Sequence, residues 1–191
     1  MLVLASTSPY RRELLARLGL PFEVASPGVD ETAAAGESGE ALALRLAQAK
    51  ARAVAARHPG ARVIGSDQTC VAADGAILGK PGDADAARAQ LARLSGTVAT
   101  FHTALCVVDA RSGREWLGNS ITEACFRDLD DDEIARYVAQ DRPLDCAGGF
   151  KVEALGIALF DAVHSDDPTA LVGLPLVMLC RFLREAGVAV P

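Results

Sequence analysis

The residues best placed to do chemistry stand near the start of the chain, in Leu4-Ala5-Ser6-Thr7-Ser8-Pro9-Tyr10-Arg11-Arg12-Glu13-Leu14-Leu15. A short apolar run, Leu2 to Ala5, gives way to three hydroxyl residues, a proline and two arginines. A helical pattern follows, with Leu14, Leu15 and Leu18 on one face. Ser8 is a good N-cap, and Pro9 suits the first helical position, where its missing N–H would have gone unpaired. The amides that follow are expected to lack a backbone partner and to point out of the helix start, where the helix dipole favours negative charge. Two arginines in the same turn add planar cations that match phosphate oxygens. On local grounds the segment reads either as a phosphate-gripping strand–loop–helix, distinct from a Walker A loop, or as a well-capped surface helix with solvated arginines.

Asp67 is a second candidate. It follows Arg62-Val63-Ile64-Gly65, which reads as a strand, so it is expected where an apolar strand meets a loop. Strand ends facing a crevice are where α/β proteins place ligand groups, although an aspartate there is also a common turn cap. Glu31 lies in Val29-Asp30-Glu31-Thr32, an acidic loop of the kind that is ordinarily solvated. Lys50 follows the apolar position Ala49 on a helical pattern and so borders a cleft, while Lys80 is bracketed by Gly79 and Pro81. By residue type alone each lysine is an ordinary surface residue.

The elements that must position these groups alternate along the chain. A strand at Leu2–Ala5 leads into a helix from about Pro9 to Leu18, and Phe22–Ala25 reads as a short strand. Gly28 to Gly39 is a loop of small and acidic residues. A second helix runs from about Glu40 to Arg57, with Leu42, Leu46, Ala49 and Ala53 at helical spacing, stopped by His58-Pro59-Gly60. Arg62–Gly65 and Gln68–Ala72 read as separate strands, turning at Ala73-Asp74-Gly75 into Ala76–Leu78. Ala84, Ala87, Leu91 and Leu94 mark a third helix, and Thr97–Asp109 with Glu115–Phe126 a long hairpin around Ser112-Gly113. Asp130 to Gln140 is a helix with an acidic first turn, and Leu176, Leu179, Phe182 and Leu183 mark a last helix closed by Gly187. The pattern is that of an α/β fold, a mixed twisted sheet with flanking helices.

Bulk properties narrow the function classes. At 191 residues the chain is one domain, or two small lobes around one cleft. Its acidic balance, a net charge of −6, argues against a general nucleic-acid binder, which presents a basic face, but leaves room for a local cationic pocket and an anionic small substrate. No stretch reaches the roughly 20 apolar residues that span a bilayer, and the start lacks the pattern of a signal peptide. The cysteines, Cys70, Cys106, Cys125, Cys146 and Cys180, are scattered without a C-x-x-C pair and read as buried reduced thiols of a cytoplasmic protein. The histidines, His58, His102 and His164, give no pattern that would activate one of them.

Leu4 to Leu15 resembles the N-terminal signature of the Maf family of nucleoside triphosphate pyrophosphatases. The likeness continues through Val29–Thr32, Ala47-Gln48-Ala49-Lys50-Ala51, Gly65-Ser66-Asp67-Gln68, Gly79-Lys80-Pro81, Leu94-Ser95-Gly96 and Leu171-Val172-Gly173-Leu174-Pro175, in the family's order over nearly the whole chain. The resemblance implies a single domain over residues 1–191 of Maf/ITPase-like fold, with two lobes around a central nucleotide cleft. It implies that Asp67 is the general base, that Glu31 and Asp67 hold a divalent cation of the magnesium or manganese type, and that Ser6, Ser8, Arg11, Lys50 and Lys80 meet the substrate and its phosphates. Two carboxylates completed by phosphate oxygens form a reasonable set for a hard cation. The partner implied is a nucleoside triphosphate, with no stable nucleic acid and no membrane, on a homodimer.

Within the family, the residues that choose the base divide two branches. The dTTP/UTP branch typically has arginine, threonine and glutamine where this chain has Tyr10, Gln68 and Glu153. Together with Asp145-Cys146-Ala147-Gly148-Gly149-Phe150-Lys151-Val152-Glu153, these residues are similar to the branch that hydrolyses 7-methyl-GTP, although that branch usually has tryptophan where Tyr10 stands. The chemistry agrees. N7-methylguanine carries a positive charge, on which Tyr10 can stack with a cation–π component. Glu153 can accept from the guanine N1–H and N2–H₂ edge. The expectation is hydrolysis of 7-methyl-GTP as housecleaning of a modified nucleotide. The alternatives are a dTTP, UTP or other modified-nucleotide pyrophosphatase, or a non-hydrolytic nucleotide-binding regulator of septum formation.

Overall fold

A computed structural model describes the whole chain, Met1–Pro191. Strand β1 (Leu2–Leu4) is buried at every position and runs parallel to β2 (Phe22–Val24) on one side and to β3 (Arg62–Val71) on the other. In that register Leu4 pairs with Val24 and Ile64. A strand covered on both faces needs apolar side chains at successive positions, which is why Leu2–Ala5 reads as an unbroken apolar run. The sheet has seven strands in the order β2-β1-β3-β5 (Val98–Asp109)-β6 (Glu115–Phe126)-β7 (Phe160–Ser165), with β4 (Ile77–Leu78) paired antiparallel to β3. Strands β5 and β6 flank the turn at Ser112-Gly113, and β7 lies antiparallel to β6. The fold is therefore α/β with a mixed sheet. No helix is long and apolar enough to cross a membrane.

The chain forms two compact units. One comprises 1–68, 103–120 and 167–191, the other 69–102 and 121–166. In the first, α1 (Pro9–Ala16) and α5 (Leu176–Glu185) pack Leu14, Leu15, Leu179 and Leu183 with Leu4, Ile64 and Leu105. The alternate residues of the same strands, Val3, Ala5 and Val63, meet Val54 of α2 (Gly39–Ala55). Ala43, Ala47 and Ala51 of α2 pack with Ala104, Cys106 and Val108. In the second unit, α3 (Ala84–Leu94) and α4 (Asp131–Asp141) carry aspartate N-caps, Asp83 and Asp130. Phe150 there stands edge-on to Phe101, Phe126 and Phe160, with ring centroids 5.0–5.5 Å away.

Several expectations are corrected. Arg62–Val71 is one continuous strand of ten residues, so Asp67 is not at a strand end. The polar run Ser66-Asp67-Gln68 does not break the strand, because each side chain has its own partner within the fold. Helix α1 ends at Ala16, and Arg17 to Gly19 close it through turn hydrogen bonds. The buried stripe of α2 is Leu42, Leu46, Lys50 and Val54, at a spacing of four residues, so Lys50 lies among core positions while Ala49 and Ala53 are only half-buried. Strand β7 and the 3₁₀ turns at Leu155–Leu159 and Ala170–Val172 add to the elements expected. All five cysteines are free, but only Cys70 and Cys106 are buried, and burial pushes both thiols up to about 12.

Candidate functional site

The first unit brings together four of the candidate charged residues. Helix α2 approaches β3 so closely at Gly65 that a Cβ there would stand 2.3 Å from the Ala47 carbonyl oxygen and 2.6 Å from the Ala51 nitrogen. Only glycine permits that approach. It carries Lys50, one turn beyond Leu46 on the same stripe, to Asp67 two residues along the strand. Lys50 Nζ lies 2.5 Å from Asp67 Oδ1 and 2.6 Å from Glu31 Oε1. Both Lys50 and Asp67 are buried, whereas Glu31 is exposed. A buried ammonium is costly unless opposite charge accompanies it, and the two carboxylates supply that charge.

Glu31 is held there by its loop. Asp30 Oδ1 accepts from the Thr32 N–H at 2.9 Å and from the Thr32 hydroxyl at 2.7 Å. Arg45 of α2 donates to the Thr32 carbonyl at 3.0 Å and clasps both oxygens of Glu37. That clasp, with the Ala34 N–H, holds the Glu37 carboxyl down to about 2. Arg45 and Glu37 are not among the residues that the sequence singles out. Their eight-residue spacing across a loop and a helix carries no local signal.

Arg11 sits in the first turn of α1 and donates from Nε to the Gly173 carbonyl at 2.8 Å. Burial pulls its pKa down, Asp67 and Glu31 pull it back up, and the guanidinium stays charged. The serines have local duties. Ser6 Oγ accepts from the Ser8 N–H at 3.1 Å, and Ser8 Oγ, as N-cap, accepts from the Arg11 N–H. The helix start therefore does not present the row of open amides expected of it. Pro9 has no N–H, Arg11 donates to the cap, and Arg12 donates to the Ser8 carbonyl. Tyr10 is half-buried on the same turn.

Gln68 is engaged inside the same unit. Its Nε2 lies 2.9 Å from Thr103 Oγ1, 2.9 Å from the Ala170 carbonyl and 3.1 Å from the Leu171 carbonyl. Its amide group therefore holds the Ala170 and Leu171 carbonyls to the strand. The Ser66 hydroxyl, buried, shares its proton between the Ala104 carbonyl at 2.9 Å and the Gly173 carbonyl at 3.0 Å. Gly65–Gln68 and Leu171–Pro175 stand out in the sequence as motifs, but Ser66, Thr103 and Gly173 carry no local sign of these roles, because the contact between the two motifs is long-range.

Lys80 and Glu153 belong to the second unit. Lys80 is exposed in a loop pinned at both ends, where Gln90 Nε2 donates to the Gly79 carbonyl at 3.0 Å and the Gly82 N–H to the Leu144 carbonyl at 2.9 Å. Glu153, also exposed, lies in a turn over 152–154. The turn is held by Phe150, by the Lys151 N–H donating to the Tyr137 hydroxyl at 2.9 Å, and by Lys151 Nζ donating to the Asp141 carbonyl at 3.2 Å. Desolvation pushes the Glu153 carboxyl above its ordinary range, a backbone hydrogen bond and Lys151 oppose the rise, and Asp141 and Asp145 add to it.

The donor set fits a divalent hard cation only in part. Glu31 and Asp67 converge on one positive centre, the Lys50 ammonium, which shows that the pair can share a cation. No group of three or more histidine, cysteine or carboxylate side chains gathers anywhere in the chain. Two carboxylates suit magnesium or manganese when phosphate oxygens and water complete the shell.

A sequence profile described as "Maf-like protein" matches residues 1–186. A protein of Aromatoleum aromaticum named 7-methyl-GTP pyrophosphatase is 58% identical over 190 residues, 100% of this chain and 97% of its own length. Proteins of the same name from Cupriavidus metallidurans and Xanthomonas campestris are 55% and 54% identical, covering 97% and 100% of this chain and 93% and 98% of their own. Among solved structures, the Ham1 protein of Staphylococcus aureus matches with a TM-score of 0.55 at 15% identity, over 97% of this chain and 98% of its own. A HAM1 protein from Coxiella burnetii matches at 0.53 and 17% identity, over 96% and 98%. These two bear on the fold alone.

Proposed function

This chain belongs to the Maf family, and from that premise we propose that it is a nucleoside triphosphate pyrophosphatase that cleaves the α–β phosphoanhydride of 7-methyl-GTP. The observation that carries the chemistry is the convergence of Asp67 and Glu31 on Lys50, within the electrostatic reach of the half-buried Arg11. The choice of base follows the relatives, which share more than half of this sequence end to end and bear that substrate in their names.

In this reading a water attacks the α-phosphorus while Asp67 accepts its proton. The bond from the α-phosphorus to the bridging oxygen breaks, 7-methyl-GMP retains the new oxygen, and pyrophosphate leaves with the bridging one. Arg11 and Lys50 neutralise the charge that grows on the leaving group, and Lys80 is a further phosphate contact. Ser6 and Ser8 shape the turn that aims Arg11. A divalent cation of the magnesium or manganese type, held by Glu31 and Asp67 when bound, supplies further charge neutralisation at the phosphate oxygens. Lys50, released from one or both carboxylates, turns its ammonium to phosphate. Tyr10 stacks on the cationic base and Glu153 accepts from its Watson–Crick edge. The reaction removes a modified nucleotide in the cytoplasm, on a homodimer.

The test is pyrophosphate release from 7-methyl-GTP, GTP, dTTP, UTP and CTP, with magnesium, with manganese and with chelator. Metal-dependent release strongest with 7-methyl-GTP is expected. Strongest release with dTTP or UTP overturns the base assignment, release that survives the chelator overturns the metal, and binding without release from any of them overturns the enzyme. Sedimentation of the same preparation tests the dimer.

A further inference from the structure

Arg11 is aimed by a carbonyl, and that carbonyl sits on a loop with an unusual anchor. The loop runs from Asp167 to Pro175 and is followed by α5. The formal N-cap of α5 is Pro175, whose side chain can accept nothing from the helix. The orphan amides of the first turn are instead met by Asp167, eight residues upstream of the cap, whose Oδ2 accepts from the Val177 N–H at 2.7 Å and lies 3.4 Å from the Met178 nitrogen. Its other oxygen, Oδ1, accepts from the Thr169 N–H at 3.0 Å and lies 2.7 Å from the Thr169 hydroxyl. Thr169 Oγ1 in turn accepts from the Leu176 N–H at 2.8 Å and lies 2.9 Å from the Leu174 carbonyl oxygen. One buried carboxylate thus ties both ends of the loop to the helix start.

What the loop presents between those ties is Gly173. Its φ of 121° is open to glycine and strained for other residues, and it turns the carbonyl so that Arg11 Nε and Ser66 Oγ both donate to it. The strand-side bonds from Gln68 and Thr103 to the Ala170 and Leu171 carbonyls hold the other half of the loop. The Nε edge of a guanidinium fixed in this way sets the direction of the whole planar fork. We propose that Asp167 is a positioning residue for Arg11: through Thr169 and the start of α5 it fixes the Gly173 carbonyl, and so orients the guanidinium that meets the phosphate chain. The role of Arg11 rests on the pyrophosphatase reading given above. The placement of Arg11 by Asp167 does not.

The experiment follows both links separately. Hydrogen exchange at the Arg11 Nε–H, read by nuclear magnetic resonance of the full-length protein, reports the bond to Gly173 whether or not the protein turns over any nucleotide. In the wild type that proton is expected to be protected. In Asp167→Ala it is expected to exchange as a free guanidinium does, while the amides of β1 and β3 keep their protection. Pyrophosphate release from 7-methyl-GTP is expected to fall between about ten- and a hundredfold, mainly in kcat, as for other small misplacements of a catalytic group. Asp167→Asn, which keeps one accepting oxygen, recovers part of both. In an Arg11→Lys background, Asp167→Ala is expected to add little, because the residue through which it acts is gone. Unchanged protection at Arg11 in a folded Asp167→Ala protein overturns the proposal, as does an undiminished effect of Asp167→Ala in the Arg11→Lys background. If Asp167→Ala does not fold, Thr169→Val takes its place in the same exchange measurement: lost protection at Arg11 supports the proposal and unchanged protection overturns it. A wild type inert on every nucleotide, whose protection at Arg11 is nonetheless lost in Asp167→Ala, supports the positioning link and sinks the pyrophosphatase reading instead.

Discussion

Two regions carry the charged candidates, and they are built differently. In the unit that contains Met1 to Gln68, the charges hold one another. Lys50 is buried between Asp67 and Glu31, Arg11 feels both carboxylates, and the backbone around them is locked by Arg45, Ser66 and Gln68. In the other unit, Lys80 and Glu153 are exposed, and what holds them is the backbone around them, tethered by Gln90, Leu144, Tyr137 and the aromatic cluster at Phe150. The first arrangement fixes positions before any ligand arrives, which suits charge stabilisation along a reaction path. The second leaves the side chains in water and fixes only where their loops run, which suits selection among bases.

The largest effect that tests this contrast is at the centre of the first region. Asp67→Asn keeps the shape and one acceptor for Lys50 but no longer takes a proton, so kcat for pyrophosphate release is expected to fall about 10²- to 10⁴-fold with the circular dichroism spectrum unchanged. A variant that turns over at the wild-type rate ends the assignment of Asp67 as base. Next comes a pair of identical changes, one in each region. Gly65→Ala drives a methyl into the backbone of α2, and is expected to cost about 1–3 kcal/mol, a fall in Tm on the order of 5 °C, along with the Lys50–Asp67 contact and most activity. Gly79→Ala, beside Lys80, meets nothing within 4 Å, and is expected to stay within about 0.5 kcal/mol of wild type in the same thermal melt. Equal losses at the two glycines would erase the distinction between a packed and a solvated region.

The contrast also explains what was legible in the sequence. The apolar run at Leu2–Ala5, the Ser8-Pro9 cap, the apolar spacing of α2 and α3 and the acidic first turn of α4 are local patterns, and the elements they predict are present. Expectations failed where a long-range partner overrides a local signal. Ser66-Asp67-Gln68 reads as the end of a strand because three polar residues in a row rarely stay in a sheet interior, and nothing local announces that Lys50, Gly173 and Thr103 satisfy them. Lys50 is a surface lysine by residue type, and the spacing Leu42, Leu46, Ala49 and Ala53 sets it beside the apolar face, whereas the buried stripe is Leu42, Leu46, Lys50 and Val54. The Glu153 turn was not legible at all, since Tyr137 and Phe150 act on it from distant elements.

A smaller effect is expected at Glu153. Glu153→Gln keeps the acceptor oxygen and removes the charge, so the preference for 7-methyl-GTP over GTP, measured as a ratio of kcat/KM values, is expected to drop about tenfold with kcat little changed. Because desolvation, with the nearby Asp141 and Asp145, raises this carboxyl above its ordinary range against the opposition of a backbone hydrogen bond and Lys151, the sign of its pH dependence is fixed. The folded chain holds the proton more tightly than the unfolded one, so the contribution of this group to stability is fullest at low pH and is lost as pH rises through the raised value. For recognition the order is reversed: the negative charge, and with it the attraction for a cationic base, fades as pH falls through that value, earlier than for an ordinary carboxylate. The preference ratio should therefore decline on acidification in the wild type and stay flat in Glu153→Gln. A flat ratio in both would place base selection elsewhere.

The smallest effect separates holding a loop from holding a charge. Tyr137→Phe removes the hydroxyl that accepts the Lys151 N–H and bonds the Asp141 carboxyl, and leaves the ring in the core, a loss of about 1–3 kcal/mol for the two hydrogen bonds. Because the bond from Lys151 belongs to the backbone two residues before Glu153, its loss should loosen the turn and raise KM for 7-methyl-GTP less than about tenfold. The kcat, which the proposed mechanism assigns to Asp67, Lys50 and Arg11 of the other unit, should be left intact. Were kcat to fall with it, as far as it falls in Gly65→Ala, the two regions could not be assigned separate tasks. A change confined to KM would mean that a buried phenol acts on recognition only by fixing the path of a backbone, which is the sense in which the second region is built from its tethers and the first from its charges.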